Sequence, residues 1–188
     1  MTNNISTRVC PVEIAGGLDN SLRRLIQNPR RILRSYIHEG MTVLDMGCGP
    51  GFFTIEIAKM LNASGKVIAA DLQDGMLEKV RMKISGTALE KIIKLHKCGQ
   101  DKLGLHEKAD FILAFYMIHE VPDKEGLFME FKSILKPEGK LYIVEPAFHV
   151  SEKEFNDMLF KITNTGFSII ERPRLLLSRS VLLSLSNR

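Results

Sequence analysis

The sequence predicts an α/β protein built on a doubly wound sheet, and three observations carry that reading. Short apolar strands and amphipathic helices alternate from residue 42 to residue 172, an order that lays strands side by side in parallel with helices over them. The stretch Thr42-Val-Leu-Asp-Met-Gly-Cys-Gly-Pro-Gly-Phe-Phe-Thr54 joins a buried strand to a helix through a loop holding Gly47, Gly49 and Gly51. The strand that follows ends in an acid, Asp71, twenty residues after Gly51.

Residues 1–17 lack clear periodicity and read as a loose arm carrying Cys10-Pro11. Asp19 caps a short helix with Leu22, Leu25 and Ile26 on one side. Asn28-Pro29 reads as the N-cap and first position of a second helix, with Ile32, Leu33, Tyr36 and Ile37 as its apolar face and Gly40 as its end. After the glycine loop a helix runs from Phe52 to about Asn62, and Ser64-Gly65 turns the chain into the strand 66–71. Asp74 caps a helix whose apolar positions Met76, Leu77, Val80 and Ile84 recur at helical spacing. Residues 92–96 form a third strand, and 110–115 are nearly unbroken apolar sequence, as a central parallel strand covered on both faces requires. Pro122-Asp123 opens a helix with Leu127, Phe128, Phe131, Ile134 and Leu135 inward; Lys136-Pro-Glu-Gly139 terminates it, and 141–145 is the fifth strand. Ser151-Glu-Lys-Glu154 matches a capping box for a helix burying Phe155, Met158, Leu159 and Ile162. Residues 168–172 and 180–185 close the sheet. The connection between them is too short for a crossover helix, so the last strand runs antiparallel. The expectation is therefore a Rossmann-like sheet of seven strands, mostly parallel with an antiparallel last strand, and helices on both faces.

Composition bounds the function. The 188 residues suit one domain, with 45% hydrophobic and 26% charged residues. No apolar run reaches the roughly 20 residues of a membrane span, and the polar start carries no signal peptide. Three cysteines, Cys10, Cys48 and Cys98, without zinc spacing favour cytoplasmic thiols over a disulfide framework. The net charge of +4 is uneven: residues 1–38 hold six arginines against Glu13 and Asp19. That patch is either a seat for an anion or a solvated helix face, and it has no interleaved aromatics to support nucleic-acid binding.

Glycine at alternate positions lets a ligand touch the main chain where a Cβ would collide, and the helix start aims free N–H groups at the same place. A dinucleotide fingerprint would need glycine at 52, where Phe52 stands, so an NAD pyrophosphate fits poorly. Asp45, at the strand end, is placed to meet a cationic group. A cation beside a carboxylate, without a pyrophosphate, describes a ligand that carries an amino acid.

The run VLDMGCGPG (43–51) resembles motif I of class I S-adenosylmethionine (SAM)-dependent methyltransferases. The resemblance covers roughly residues 40–185 and implies the cofactor SAM, the product S-adenosylhomocysteine, an N-terminal arm with cap helices over 1–38 and a methyltransferase domain over 39–188. It places Asp45, Gly47, Cys48, Gly49 and Gly51 at the cofactor, and Asp71 on the ribose diol. Leu72 and Met76 are either walls for the adenine or plain core. Many relatives carry Gly-Asp-Ala after strand three; here Cys98-Gly-Gln-Asp101 stands instead, which puts Gln100, with Asp101 beside it, at the adenine.

Phe115-Tyr-Met-Ile-His-Glu-Val-Pro-Asp123 resembles the L-H-H-V-x-D stretch of ubiquinone/menaquinone-type and other small-molecule methyltransferases. That likeness sets Phe115 and Tyr116 over the methionine portion of SAM and turns His119 and Glu120 to the substrate. Histidine titrates near neutrality, so His119 is either a proton acceptor for the substrate or a structural residue of the turn. Glu145, at the end of strand five, either touches substrate or merely ends a strand. His119-Glu120 is not a zinc motif, and no metal is expected.

The reading is a cytoplasmic SAM-dependent methyltransferase acting on a small-molecule acceptor, with a protein acceptor as the lesser option, working as a monomer or homodimer. Two alternatives stay open: a SAM-binding sensor or scaffold that transfers nothing, and a metalloid methyltransferase using the cysteine thiols.

Overall fold

The computed structural model describes residues 27–99 and 102–186. The expected arm, the helix capped by Asp19, Cys10, Gln100 and Asp101 lie outside those residues. The described chain runs α1 (Pro29–Leu33), β1 (Thr42–Met46), α2 (Phe52–Leu61), β2 (Lys66–Asp71), α3 (Asp74–Ile84), β3 (Ile93–Lys97), β4 (Ala109–Phe115), α4 (Lys124–Ile134), β5 (Leu135–Pro146), α5 (Glu152–Asn164), β6 (Phe167–Glu171) and β7 (Ser178–Leu185). The seven strands lie in the order β3-β2-β1-β4-β5-β7-β6. Strands β1 to β5 pair in parallel, and β7 runs antiparallel to both β5 and β6.

Side chains alternate between the two faces of each strand. One face carries Leu44, Ile68, Ile112, Ala114, Leu141 and Ile143 into a core closed by Phe128 and Phe131 of α4 and Phe155 and Ile162 of α5. The other carries Val43, Val67, Phe111, Leu113 and Tyr142 against Leu33, Phe53, Ile57, Leu61 and Val80. Leu33 and Ile37 thus belong to the same core as the sheet.

Three local expectations change. The helix α3 has Gln73 at its N-cap with no side-chain cap bond, and Asp74 is its first helical residue, ion-paired to Lys97 at 2.9 Å. Lys136-Pro-Glu-Gly139 is not a loop ahead of the fifth strand. Strand β5 begins at Leu135, opposite Ala109, and the register resumes at Lys140 opposite Phe111, so residues 136–139 bulge within it. Lys136 Nζ reaches both oxygens of Asp110 at 2.8 Å, and Leu135 is buried, so the segment is held against β4. Leu135 itself is buried as expected, but from the strand. Finally, α1 is a single short helix ending at Leu33, and Tyr36 and Ile37 pack from the turn beyond it. Its cap is the expected one, with Arg31 N–H donating to Asn28 Oδ1 at 3.1 Å.

Phe131 is fully buried between α4 and the sheet. Phe131→Ala is expected to lower the unfolding free energy by about 3–5 kcal/mol, read from urea denaturation, through lost transfer energy and the cavity left behind.

Candidate active site

The carboxyl ends of β1, β2, β4 and β5 converge on one edge of the sheet, the place where ligands bind in open α/β folds. The glycine loop after β1 is hung on the end of β2. Ala70 O accepts from both Gly47 N–H at 2.8 Å and Cys48 N–H at 3.0 Å, and Asp71 Oδ2 accepts from Gly49 N–H at 2.9 Å. The second Asp71 oxygen accepts from Gln73 N–H at 2.8 Å, and Cys98 N–H donates to the Asp71 carbonyl at 3.0 Å. Burial raises the Asp71 carboxyl above its usual range, against the pull of these N–H donors and of Lys97. The Leu72 N–H adds a further, weaker pull on the same carboxylate, so Asp71 is held mainly by backbone donors.

The three glycines differ. Each sits at positive φ. A Cβ on Gly47 would lie 2.8 Å from Met117 Cβ, and one on Gly51 would press Val80 at 3.1 Å; these two glycines serve packing. A Cβ on Gly49 would meet nothing within 4 Å, so this glycine faces open space, with its own N–H given to Asp71. Asp45 is 2% exposed and accepts from the Thr54 hydroxyl at 2.5 Å. Phe52 begins α2 as a buried residue, edge-on to Phe53.

Across the sheet, Glu145 at the end of β5 does for the turn after β4 what Asp71 does for the glycine loop. It is 1% exposed; Oε1 accepts from Ile118 N–H at 2.9 Å, and Oε2 meets His119 Nδ1. The His119 side chain keeps 19% exposure, its Nε2 lies 4.0 Å from Glu120, and its ring stands edge-on to His149 with centroids 4.8 Å apart. Burial alone would lower the His119 pKa, but the bond and charge of Glu145, with the charge of Glu120, outweigh it and raise the value.

Tyr116 follows β4 with φ of +59°, an uncommon conformation for a bulky residue. Its hydroxyl accepts from Gln27 Nε2 at 2.6 Å and shares a 2.6 Å hydrogen bond with Ser178 Oγ. Phe115 is buried against Phe53 with ring centroids 4.3 Å apart, so of the two aromatics Tyr116 is the one at the surface of the site. Leu72 is half-buried, whereas Met76 is 2% exposed and packed as core.

The structure therefore gathers Gly49, Asp71 and Leu72 at one end of the edge, and Tyr116, His119 and Glu120 at the other. Glu145 and Asp45 stand behind, holding neighbours. Gln27 and Ser178 escaped the sequence reading because their only signal is the tyrosine they share across 89 and 62 residues of chain. Cys48 and Cys98 are buried free thiols, both pushed up by burial, Cys98 to about 12. Among the described residues no group of three or more His, Cys, Asp or Glu is placed to hold a metal.

The pattern of a family described as a methyltransferase domain matches residues 37–170. A demethylmenaquinone methyltransferase of Lactobacillus johnsonii is 34% identical over 112 residues, 59% of this chain and 46% of that protein. A ubiquinone/menaquinone biosynthesis C-methyltransferase UbiE of Cronobacter sakazakii is 28% identical over 132 residues, 68% of this chain and 53% of that one. The chain spans about half the length of these curated relatives. A crystal structure of a SAM-dependent methyltransferase from Aquifex aeolicus superposes with a TM-score of 0.84 at 26% identity, covering 94% of this chain and 100% of that one.

The glycine geometry yields a contrast. Gly47→Ala is expected to cost about 2–4 kcal/mol of stability, from positive-φ strain plus collision with Met117. Gly49→Ala is expected to cost about 1–2 kcal/mol, the backbone penalty alone. Paired denaturant curves measure both.

Proposed function

This chain belongs to the class I SAM-dependent methyltransferases, and from that premise we propose that it methylates a small-molecule acceptor of the hydroquinone or phenol type with His119 taking the acceptor's proton. The observation that carries the reading is the placement of His119, fastened by Glu145 at the same sheet edge as the glycine loop and Asp71.

The residues fit SAM. In this reading Asp71 is the strand-end carboxylate that takes the ribose diol, the open space beside Gly49 admits the ligand, and Leu72 borders the adenine. When bound, SAM supplies an already activated methyl on a sulfonium, so the protein's work is placing the acceptor, excluding water and accepting a proton. The polar cluster of Tyr116, Gln27 and Ser178 borders the acceptor space. A quinone ring is electron-poor; its reduced form is the nucleophile, and deprotonating a ring hydroxyl raises that nucleophilicity further. The names of the curated relatives support this acceptor class.

A SAM-binding sensor would need no proton acceptor beside the cofactor, so the His119–Glu145 pair favours the enzyme. No helix among the described residues is long and apolar enough to cross a membrane, and Cys48 and Cys98 are not paired with each other, which supports a cytoplasmic setting.

Asp71→Ala is expected to weaken SAM binding by roughly 1.5–3 kcal/mol, about ten- to a hundredfold, by calorimetry on folded protein. NAD is expected not to bind. With labelled SAM and chemically reduced demethylmenaquinone, His119→Ala should lower turnover about a hundredfold at near-constant SAM affinity. In the wild type the rate should climb with pH through a midpoint above that of an ordinary histidine, since the raised pKa keeps the ring protonated to higher pH and only the neutral ring accepts a proton. Product formation that is full in His119→Ala at every pH would return this histidine to a structural role.

A further inference from the structure

We propose that Glu145 is the positioning residue for His119: it holds the imidazole as the Nδ1–H tautomer, so that Nε2 carries the lone pair offered to a hydroxyl proton of the methyl acceptor. This rests on the methyl-transfer reading above and adds to it the direction of proton movement and a requirement for a protic acceptor.

The argument is one of hydrogen-bond satisfaction. Glu145 is nearly inaccessible, and its two oxygens have separate partners. Oε1 accepts from the Ile118 backbone N–H at 2.9 Å, a donor that cannot reverse its role. Oε2 meets His119 Nδ1. An ionised carboxylate only accepts, so Nδ1 must bring the hydrogen, and in the neutral ring the lone pair then falls on Nε2. Glu145 thus fixes both the residue before His119 and the ring itself. Two anchor points on adjacent residues leave the imidazole little freedom to turn over.

The remaining groups facing the ring agree. Glu120 Oε1 lies 4.0 Å from Nε2, too far for a hydrogen bond and near enough to favour the imidazolium after proton transfer. Lys124, from α4, opposes that charge more weakly, and the His149 ring stands edge-on from the turn after β5. In the step itself the acceptor O–H breaks, its electron pair stays on oxygen, and the proton forms the new Nε2–H bond. A nucleophile without a removable proton gains nothing from this arrangement.

Glu145→Gln provides a sharp test because it is isosteric and changes only the donor–acceptor count. A carboxamide has one acceptor end and one donor end. Ile118 N–H needs the acceptor, so the amide NH2 turns to His119 and donates to Nδ1, which moves the ring hydrogen to Nε2. Imidazole nitrogen NMR on the uniformly labelled full chain reads this directly, with His119→Gln assigning the signal among the five histidines. The expected result is an Nδ1–H ring in the wild type at high pH and an Nε2–H ring in Glu145→Gln. The variant should also show a lowered His119 midpoint and a turnover of reduced demethylmenaquinone down at least about tenfold. A wild-type ring in the Nε2–H form overturns the proposal without any variant, and an unchanged tautomer in folded Glu145→Gln does the same. Binding of S-adenosylhomocysteine, by calorimetry, reports separately. It should be unchanged in Glu145→Gln. A wild type that fails to bind it overturns the methyl-transfer reading itself, whatever the tautomer.

Discussion

Two strand-end carboxylates hold the working edge of this molecule together. The central strands β1 and β4 are neighbours, flanked by β2 on one side and β5 on the other. Each flanking strand ends in an acid whose side chain accepts a backbone N–H from the turn that follows the central strand beside it: Asp71 from Gly49, and Glu145 from Ile118. A turn leaving a parallel strand has no ladder partner for its amides, and a buried unpaired N–H costs about 1–3 kcal/mol. The acids meet that requirement and in doing so set where the turns lie.

The two clamps differ in what they hold. Asp71 takes backbone donors on both its oxygens. Glu145 is sealed, and its second oxygen is spent on an imidazole. One acid therefore holds backbone alone, and the other holds backbone and a histidine ring together. The glycines also differ. Gly47 and Gly51 are small because Met117 and Val80 press on them; Gly49 is small beside open space. Lys83 adds a further tie, donating to the Pro50 carbonyl at 2.7 Å and fastening the loop to α3.

The layers beneath keep these turns stiff. Both faces of the sheet are covered, and the aromatic run Phe52, Phe53, Phe115 and Tyr116 links the start of α2 to the end of β4 through successive ring contacts. Tyr116 sits at positive φ where the chain leaves this stack, held by Val144 O from its own N–H at 2.8 Å and by Gln27 and Ser178 at its hydroxyl. Backbone strain of this kind persists only where surrounding contacts over-determine it.

Much of the fold was legible from periodicity. The strand 42–46 and the helix α2 could be read because apolar spacing and turn chemistry are local properties of the chain, and the Ser151–Glu154 capping box is present as its four residues imply. The start of β5 was not legible, because Pro137 and Gly139 signal a break in any isolated reading and only Asp110, 26 residues earlier, holds Lys136 in place. The site divides along the same line. By itself the sequence determined which residue types stand at the strand ends, the glycine loop, Asp71, His119 and Glu145, since these follow from local pattern and family likeness. Only the tertiary structure decided their surroundings: that Gly49 alone of the loop glycines faces open space, that Asp45 bonds to Thr54, and that Glu145 meets both the Ile118 N–H and the His119 ring. Those surroundings depend on which side chains meet across the sheet, and hydrogen-bond partners 9 to 27 positions apart in the chain leave no periodic trace in it.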